Sequence, residues 1–387
     1  MYKVLVARKF YKLSLAFLNM NLKRLIYPTL AALVVGATSG HHIESDRIVE
    51  SIQNAKSVEM AQDTNSYYAN KAREEFSWGK EVREDLFLSY ILPFKSTEEP
   101  YEKGSRKILY EMVSPVVAGI TDISEAATKI NRWASTQVRF IGDLGNEYNR
   151  LHGKFLEEGL SDEELERAEI VGEKLEKWNK FTSENDKKWG DIDLSISQML
   201  EVGYGRCEEQ STFAILSMRA VSIPTRMVYI PWWVGKEGDS ISNNHAWIEA
   251  WFEESWNYAD GSAISEFNQN SITSKKRNMG KVYAVKSSQK GRRSKIDVTE
   301  RYVQTGEIEV TLLREGDVVT NYDVSLLGWN DGGWKKLEGR KTNESGTVTF
   351  VAGAEGPEYR VMVEGMQSEK IDLKIGDHRK VSLEIAS

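Results

Sequence analysis

Residues 203–220 read GYGRCEEQSTFAILSMRA, and the fold turns on them. Gly203 and Gly205 allow a tight turn before Cys207. Phe213, Leu216 and Ala220 then recur at helical spacing, so Cys207 falls at or just before a helix N-terminus. There the unpaired backbone N–H groups and the positive end of the helix dipole favour a thiolate. The same N–H groups suit an oxyanion. Glu208 and Glu209 favour the helix start but oppose a negative sulfur, so a cation must outweigh them. Cys207 is the chain's only cysteine. Alone it reads as a small buried hydrophobe.

Two further phrases change that reading. NHAWIEAWF at 244–252 carries His245, and WNYADGS at 256–262 carries Asp260. Alternation from His245 puts Trp247, Glu249 and Trp251 on its face and Ala246, Ile248, Ala250 and Phe252 on the other, which reads as core. Glu253-Glu254 closes a two-residue hairpin loop, so facing residue numbers sum to 507 (252 + 255) and Asp260 faces Trp247. His245 is then its diagonal same-face neighbour, within reach. Cysteine, histidine and aspartate are the parts of a thiol nucleophile, its base and the group that orients the base. The alternatives are a satisfied structural histidine and an aspartate that caps the turn before Gly261.

These three motifs, in type, order and spacing, resemble the core of the transglutaminase-like superfamily, well over 195–262 and loosely over 120–300. The resemblance implies an α+β, papain-like core with a helix packed on an antiparallel sheet. It implies acyl transfer at an amide bond of a peptide or protein by Cys207, His245 and Asp260, with no metal or organic cofactor. The acceptor stays open: water makes a peptidase or amidase, an amine a cross-linking transglutaminase. A non-catalytic envelope scaffold on the same fold is the competing class. The Cys207 N–H is one oxyanion donor; relatives add an upstream side chain, for which Gln198, Trp189 and Tyr204 are candidates. Tyr229, Trp232, Trp233, Trp247, Trp251 and Trp256 make the region aromatic. Adjacent tryptophans cannot both point inward from a strand, so one of Trp232 and Trp233 is expected to line a substrate cleft, and Trp247 is a further candidate.

Around this core the chain divides into four parts. Residues 1–39 read as a leader: Lys23-Arg24, the apolar run LIYPTLAALVVG at 25–36, and small residues Ala37-Thr38-Ser39 before Gly40. Translation starting at Met20 and an uncleaved anchor are the variants of this reading. Export to the periplasm or beyond is expected, without a stable membrane span after processing. Residues 40–120 form a helical lead-in. Residues 121–300 form the core, with a charged helical hairpin inserted at 145–189. Asp122 with Glu125 makes a capping-box-like helix start, and Ser161 with Glu164 a capping box. Residues 301–387 alternate apolar and polar in short runs between turns, the mark of a β-sandwich. The net charge of −7 argues against a nucleic-acid partner. Neither the single cysteine nor the five histidines show metal-ligand spacing, apart from His41-His42. Oligomeric state is not legible.

Overall fold

The computed structural model describes residues 64–97, 99–100, 102–189, 194–241, 243–261, 267–268, 278–287 and 293–386, apart from the side chains of 185–189. The leader expected at 1–39 lies outside them.

The class is α+β, organised around one buried helix. After shorter helices in the lead-in, among them Ser77–Glu81 and Glu84–Tyr90, come α1 (Ser105–Val113), α2 (Ile123–Gln137), α3 (Ile141–Glu157), α4 (Asp162–Trp189) and α5 (Ile196–Val202). The Asp122 carboxylate accepts from the Glu125 N–H at 2.8 Å and starts α2. Ser161 and Glu164 exchange the two bonds of a capping box and start α4. Helices α3 and α4 form the antiparallel pair expected at 145–189. Leu144, Tyr148 and Leu151 of one, and Ala168, Val171 and Leu175 of the other, join the main core.

Helix α6 (Cys207–Ala220) is buried at every residue from Glu209 to Ala220. It lies on a five-stranded antiparallel sheet built from β1 (Thr225–Ile230), β2 (His245–Phe252), β3 (Ser255–Ala259), β4 (Tyr283–Ser287) and β5 (Arg293–Asp297), in the order β3-β2-β1-β4-β5. Two buried arginines fasten the lead-in to α6. Arg219 donates to the carbonyls of Thr225, Pro93 and Lys95, and burial lowers its pKa to about 10. Arg106 donates to the carbonyls of Arg219, Ile91 and Leu92. In both cases carbonyl dipoles replace the water that burial removes. Ala72, Trp78, Phe94 and Leu109 share the hydrophobic cluster of α6, so the lead-in packs into the core.

The β2–β3 hairpin has the register read from the sequence, from Phe252↔Ser255 to Ile248↔Ala259. Its loop residues Glu253 and Glu254 both have positive φ, 52° and 54°. A right-twisted hairpin wants such a turn, but each glutamate is strained by its Cβ there. Glu254→Gly is therefore expected to raise the unfolding free energy by about 1 kcal/mol, read by urea denaturation.

The face of β2 bearing His245 is not open, contrary to the reading that only the alternate face is core. Trp247 and Glu249 are as fully buried as Ile248 and Ala250, because Val298 and Tyr302 cover that side.

The C-terminal region is a sandwich of β6 (Thr305–Arg314), β7 (Asp323–Asn330), β8 (Gly333–Lys341), β9 (Thr347–Gly353), β10 (Glu358–Val363) and β11 (His378–Glu384), with shorter strands at the edges. One sheet runs β8-β7-β10 and the other β9-β6-β11, with β11 parallel to β6. Ile308, Leu326, Phe350 and Tyr359 fill the space between them.

The sandwich docks on the loop that leads into His245. Gly235 N–H donates to the Trp329 carbonyl, and Glu358 N–H to the Gly235 carbonyl, both at 3.0 Å. The buried amide of Asn330 donates to the carbonyls of Trp233 and Asn243 at 2.7 and 3.2 Å.

Candidate active site

The turn before the cysteine uses its two glycines differently. Gly203 ends α5 in the left-handed region at φ 72°. Gly205 has ordinary φ but no room: a Cβ there would lie 2.7 Å from the Glu209 Cβ. Arg206 is the N-cap of α6, and its N–H donates to Glu209 Oε2 at 2.8 Å. The Arg206 guanidinium grips both oxygens of the same carboxylate. Glu209 is thus spent on the helix start and offset by its own cation, which corrects the expectation that it opposes the sulfur. Glu208 remains as the carboxylate beside Cys207. The thiol is half-buried, on the first residue of α6, where backbone N–H groups lack intrahelical partners.

His245 opens β2 and borders the same cleft as Cys207, close enough for the sulfur to raise the imidazole pKa. Its Nε2 stands 3.5 Å from Asp260 Oδ2, within ion-pair distance. Burial alone depresses the imidazole pKa, but the neighbouring Asp260 and Cys207 outweigh it and raise the value to about 9. An imidazolium beside the sulfur is the cation that position requires.

The imidazole is held from behind. Trp233 and Trp247 stack against it, with centroids at 6.1 and 5.9 Å. Trp247 Nε1–H donates to the Tyr302 hydroxyl at 3.0 Å, and that hydroxyl donates to buried Glu249 at 2.7 Å. Arg226 and Arg301 neutralise Glu249.

The next residue in the chain, Gly261, fixes Asp260 in place. A Cβ on Gly261 would lie 2.9 Å from Ser211 Cα, so the strand end rests directly on the first turns of α6. Gly261→Ala is expected to push Asp260 away from His245. It should lower kcat/KM on a turned-over amide by about 10-fold or more and stability by about 1–3 kcal/mol, measured side by side.

A cleft of about 310 Å³ opens at the thiol. Met227, Tyr229, Ala246 and Val285 form its apolar floor. Thr97, Glu208, Asn244, Arg293, Ser294 and Lys295 form its polar rim. The other sequence candidates lie elsewhere. Gln198 accepts from the Ser195 N–H at 2.9 Å in the capping box of α5. Tyr204 is buried beneath Arg139 and Lys174. Trp232 packs on the sandwich, Trp233 backs the imidazole, and Trp247 is fully buried. None of these five lines the cleft, so the expected tryptophan wall is replaced by an aliphatic and tyrosine floor. The side chain of Trp189 lies outside the described residues. Thr97, Arg293 and Lys295 had no signal of their own in the sequence, since the buried Arg219 contacts place Thr97 and the pairing of β5 with β4 places the two cations.

Residues 153–261, the stretch that carries Cys207, His245 and Asp260, match the model of the transglutaminase-like superfamily. Among solved structures the chain is similar to a candidate cysteine protease from Cytophaga hutchinsonii, at 10% identity and TM-score 0.27. That match covers 77% of this chain and 61% of the other, so the chain spans less than two thirds of that protein. The major pilin subunit of Bacillus cereus matches at 16% identity over 27% of this chain and 37% of its own, with TM-score 0.16. No curated protein matches.

Proposed function

We propose that the protein is a cysteine hydrolase acting on amide bonds of peptides or proteins. One observation carries this reading. A thiol at a helix N-terminus shares a cleft with an imidazole whose Nε2 faces a carboxylate at 3.5 Å.

The Cys207 thiolate adds to the amide carbonyl carbon, and the oxyanion is met by N–H groups at the start of α6. Imidazolium His245 gives its proton to the leaving nitrogen, the C–N bond breaks, and an acyl thioester remains on sulfur. Water then attacks the thioester while neutral His245 takes its proton; the C–S bond breaks and the acid leaves. Asp260 orients the imidazole and stabilises its charged form. Peptide turnover with and without a primary amine tests the acceptor. Hydrolysis without amine incorporation is expected; incorporation of the amine at a glutamine would make the protein a cross-linking enzyme instead.

The leader-like segment at 21–39 supports export, with a mature N-terminus near Gly40. Intact mass of periplasmic or secreted protein reads this; recovery of residues 20–39 in a membrane fraction would favour an anchor.

A further inference from the structure

The rim of the cleft is polarised, and strand register is the cause. Cross-strand partners share a sheet face. Ala246 faces Tyr229, Tyr229 faces Tyr283, and Tyr283 faces Asp297. Two residues along in each strand, Val285 faces Lys295, and Ser287 then faces Arg293. All of these side chains belong to the face covered by α6. Arg293 and Lys295 therefore rise from the edge strand β5 on the same side as the thiol, and both border the cleft. Asp297, next on that face, is engaged by buried Lys281. The Lys295 ammonium lies over the Tyr283 ring at 4.5 Å, which holds it at the rim. Glu208 stands on the helix side of the opening. The chain as a whole carries −7, so two cations at this mouth run against the general charge.

We propose that the cleft takes a substrate with a carboxylate close to the scissile amide, an acidic peptide, bound along β5 by Lys295 and Arg293. This rests on the acyl-transfer reading of Cys207. A carboxylate on that side meets two cations above an apolar floor; on the other side it meets Glu208. The floor of Met227 and Val285 accepts the aliphatic stem of an acidic side chain, so both parts of such a residue are matched.

The charge preference can be tested without knowing the substrate. Iodoacetate and iodoacetamide alkylate the same sulfur and differ in one negative charge. The ratio of their rate constants at Cys207 reports the potential in the cleft. In the full chain, Lys295→Glu and Arg293→Glu are each expected to lower the iodoacetate-to-iodoacetamide ratio by about 5-fold, and the double variant by about 20-fold. Any change in the thiolate itself affects both reagents alike and cancels in the ratio. Salt near 0.5 M should shrink the wild-type preference towards the variants' value.

Ratios unchanged by either reversal would overturn the proposal. A second assay pairs peptides that differ only by glutamate or glutamine. Wild type should favour glutamate by about 10-fold in kcat/KM, and Lys295→Glu should lose that preference; equal turnover of the two peptides by wild type would also overturn the proposal. Failure to cleave any peptide would count against amide hydrolysis, while the alkylation ratio would still decide the charge preference.

Discussion

Cys207→Ala is expected to lower amide turnover by about 10⁴-fold or more while leaving the protein folded. The sulfur is the atom to which the acyl group is transferred, and no other cysteine exists to replace it. Removing the nucleophile of a catalytic triad leaves only binding and oxyanion stabilisation. The structural cost is small for identifiable reasons. Cys207 is half-buried at the first position of α6, and alanine is a good residue there. The helix start is held by Arg206 and Glu209, not by the thiol. Urea unfolding should therefore shift by no more than about 1 kcal/mol. Near wild-type turnover by this variant would remove the cysteine from the mechanism.

Asp260→Asn is expected to slow turnover by about 10- to 1,000-fold with the fold retained. Shape and hydrogen-bonding capacity are nearly kept, but the negative charge facing Nε2 is lost, and the amide can favour the wrong tautomer. A serine triad suffers more from the matching change; a thiol is intrinsically the better nucleophile and depends less on its base. The same substitution makes a pH prediction. His245 is raised from about 6.5 to about 9 by Asp260 and Cys207, against the effect of burial. Its contribution to stability is therefore complete below about pH 6.5 and is lost as pH rises through about 9. In Asp260→Asn the imidazole should titrate nearer its ordinary range, and the decline in stability between those limits should flatten. NMR titration of the His245 ring, with denaturation at pH 6 and pH 9, reads both. An unchanged titration would mean that another group orients the imidazole.

Much of this was legible because it depends on local chemistry. A two-residue loop fixes a hairpin register, so Glu253-Glu254 was enough to bring Asp260 towards His245. The one-way cap at Asp122 and the capping box at Ser161 are local bonds between a side chain and the backbone three residues away. The cleft walls are not local. Thr97 arrives there because buried Arg219 pins the carbonyls of Pro93 and Lys95, and nothing in the sequence around residue 97 announces that partner. Arg293 and Lys295 sit in a basic stretch that reads as ordinary solvated charge until β5 is paired with β4. Trp232 and Trp233 diverge as expected of neighbours, but the sandwich receives one and the imidazole the other. Strand β8, with the sequence GWKKLEGRK, hides its character for a related reason: it mostly faces solvent, and its pairing with β7 shifts register between Leu326 and Leu327. Alternation is therefore interrupted where it would have been read.

The central claim is that His245 supplies the charge that makes Cys207 a nucleophile. It is tested most directly by the second-order rate of Cys207 alkylation with iodoacetamide from pH 5 to pH 9, in wild type and in His245→Ala. The imidazolium persists up to about pH 9, so wild type should react rapidly at pH 6 and change by only a few-fold towards pH 9. His245→Ala should be about 10- to 100-fold slower at pH 6 and approach wild type only at the alkaline end. Two superimposable profiles, both climbing about 10-fold per pH unit from pH 6, would show an ordinary thiol and contradict the account.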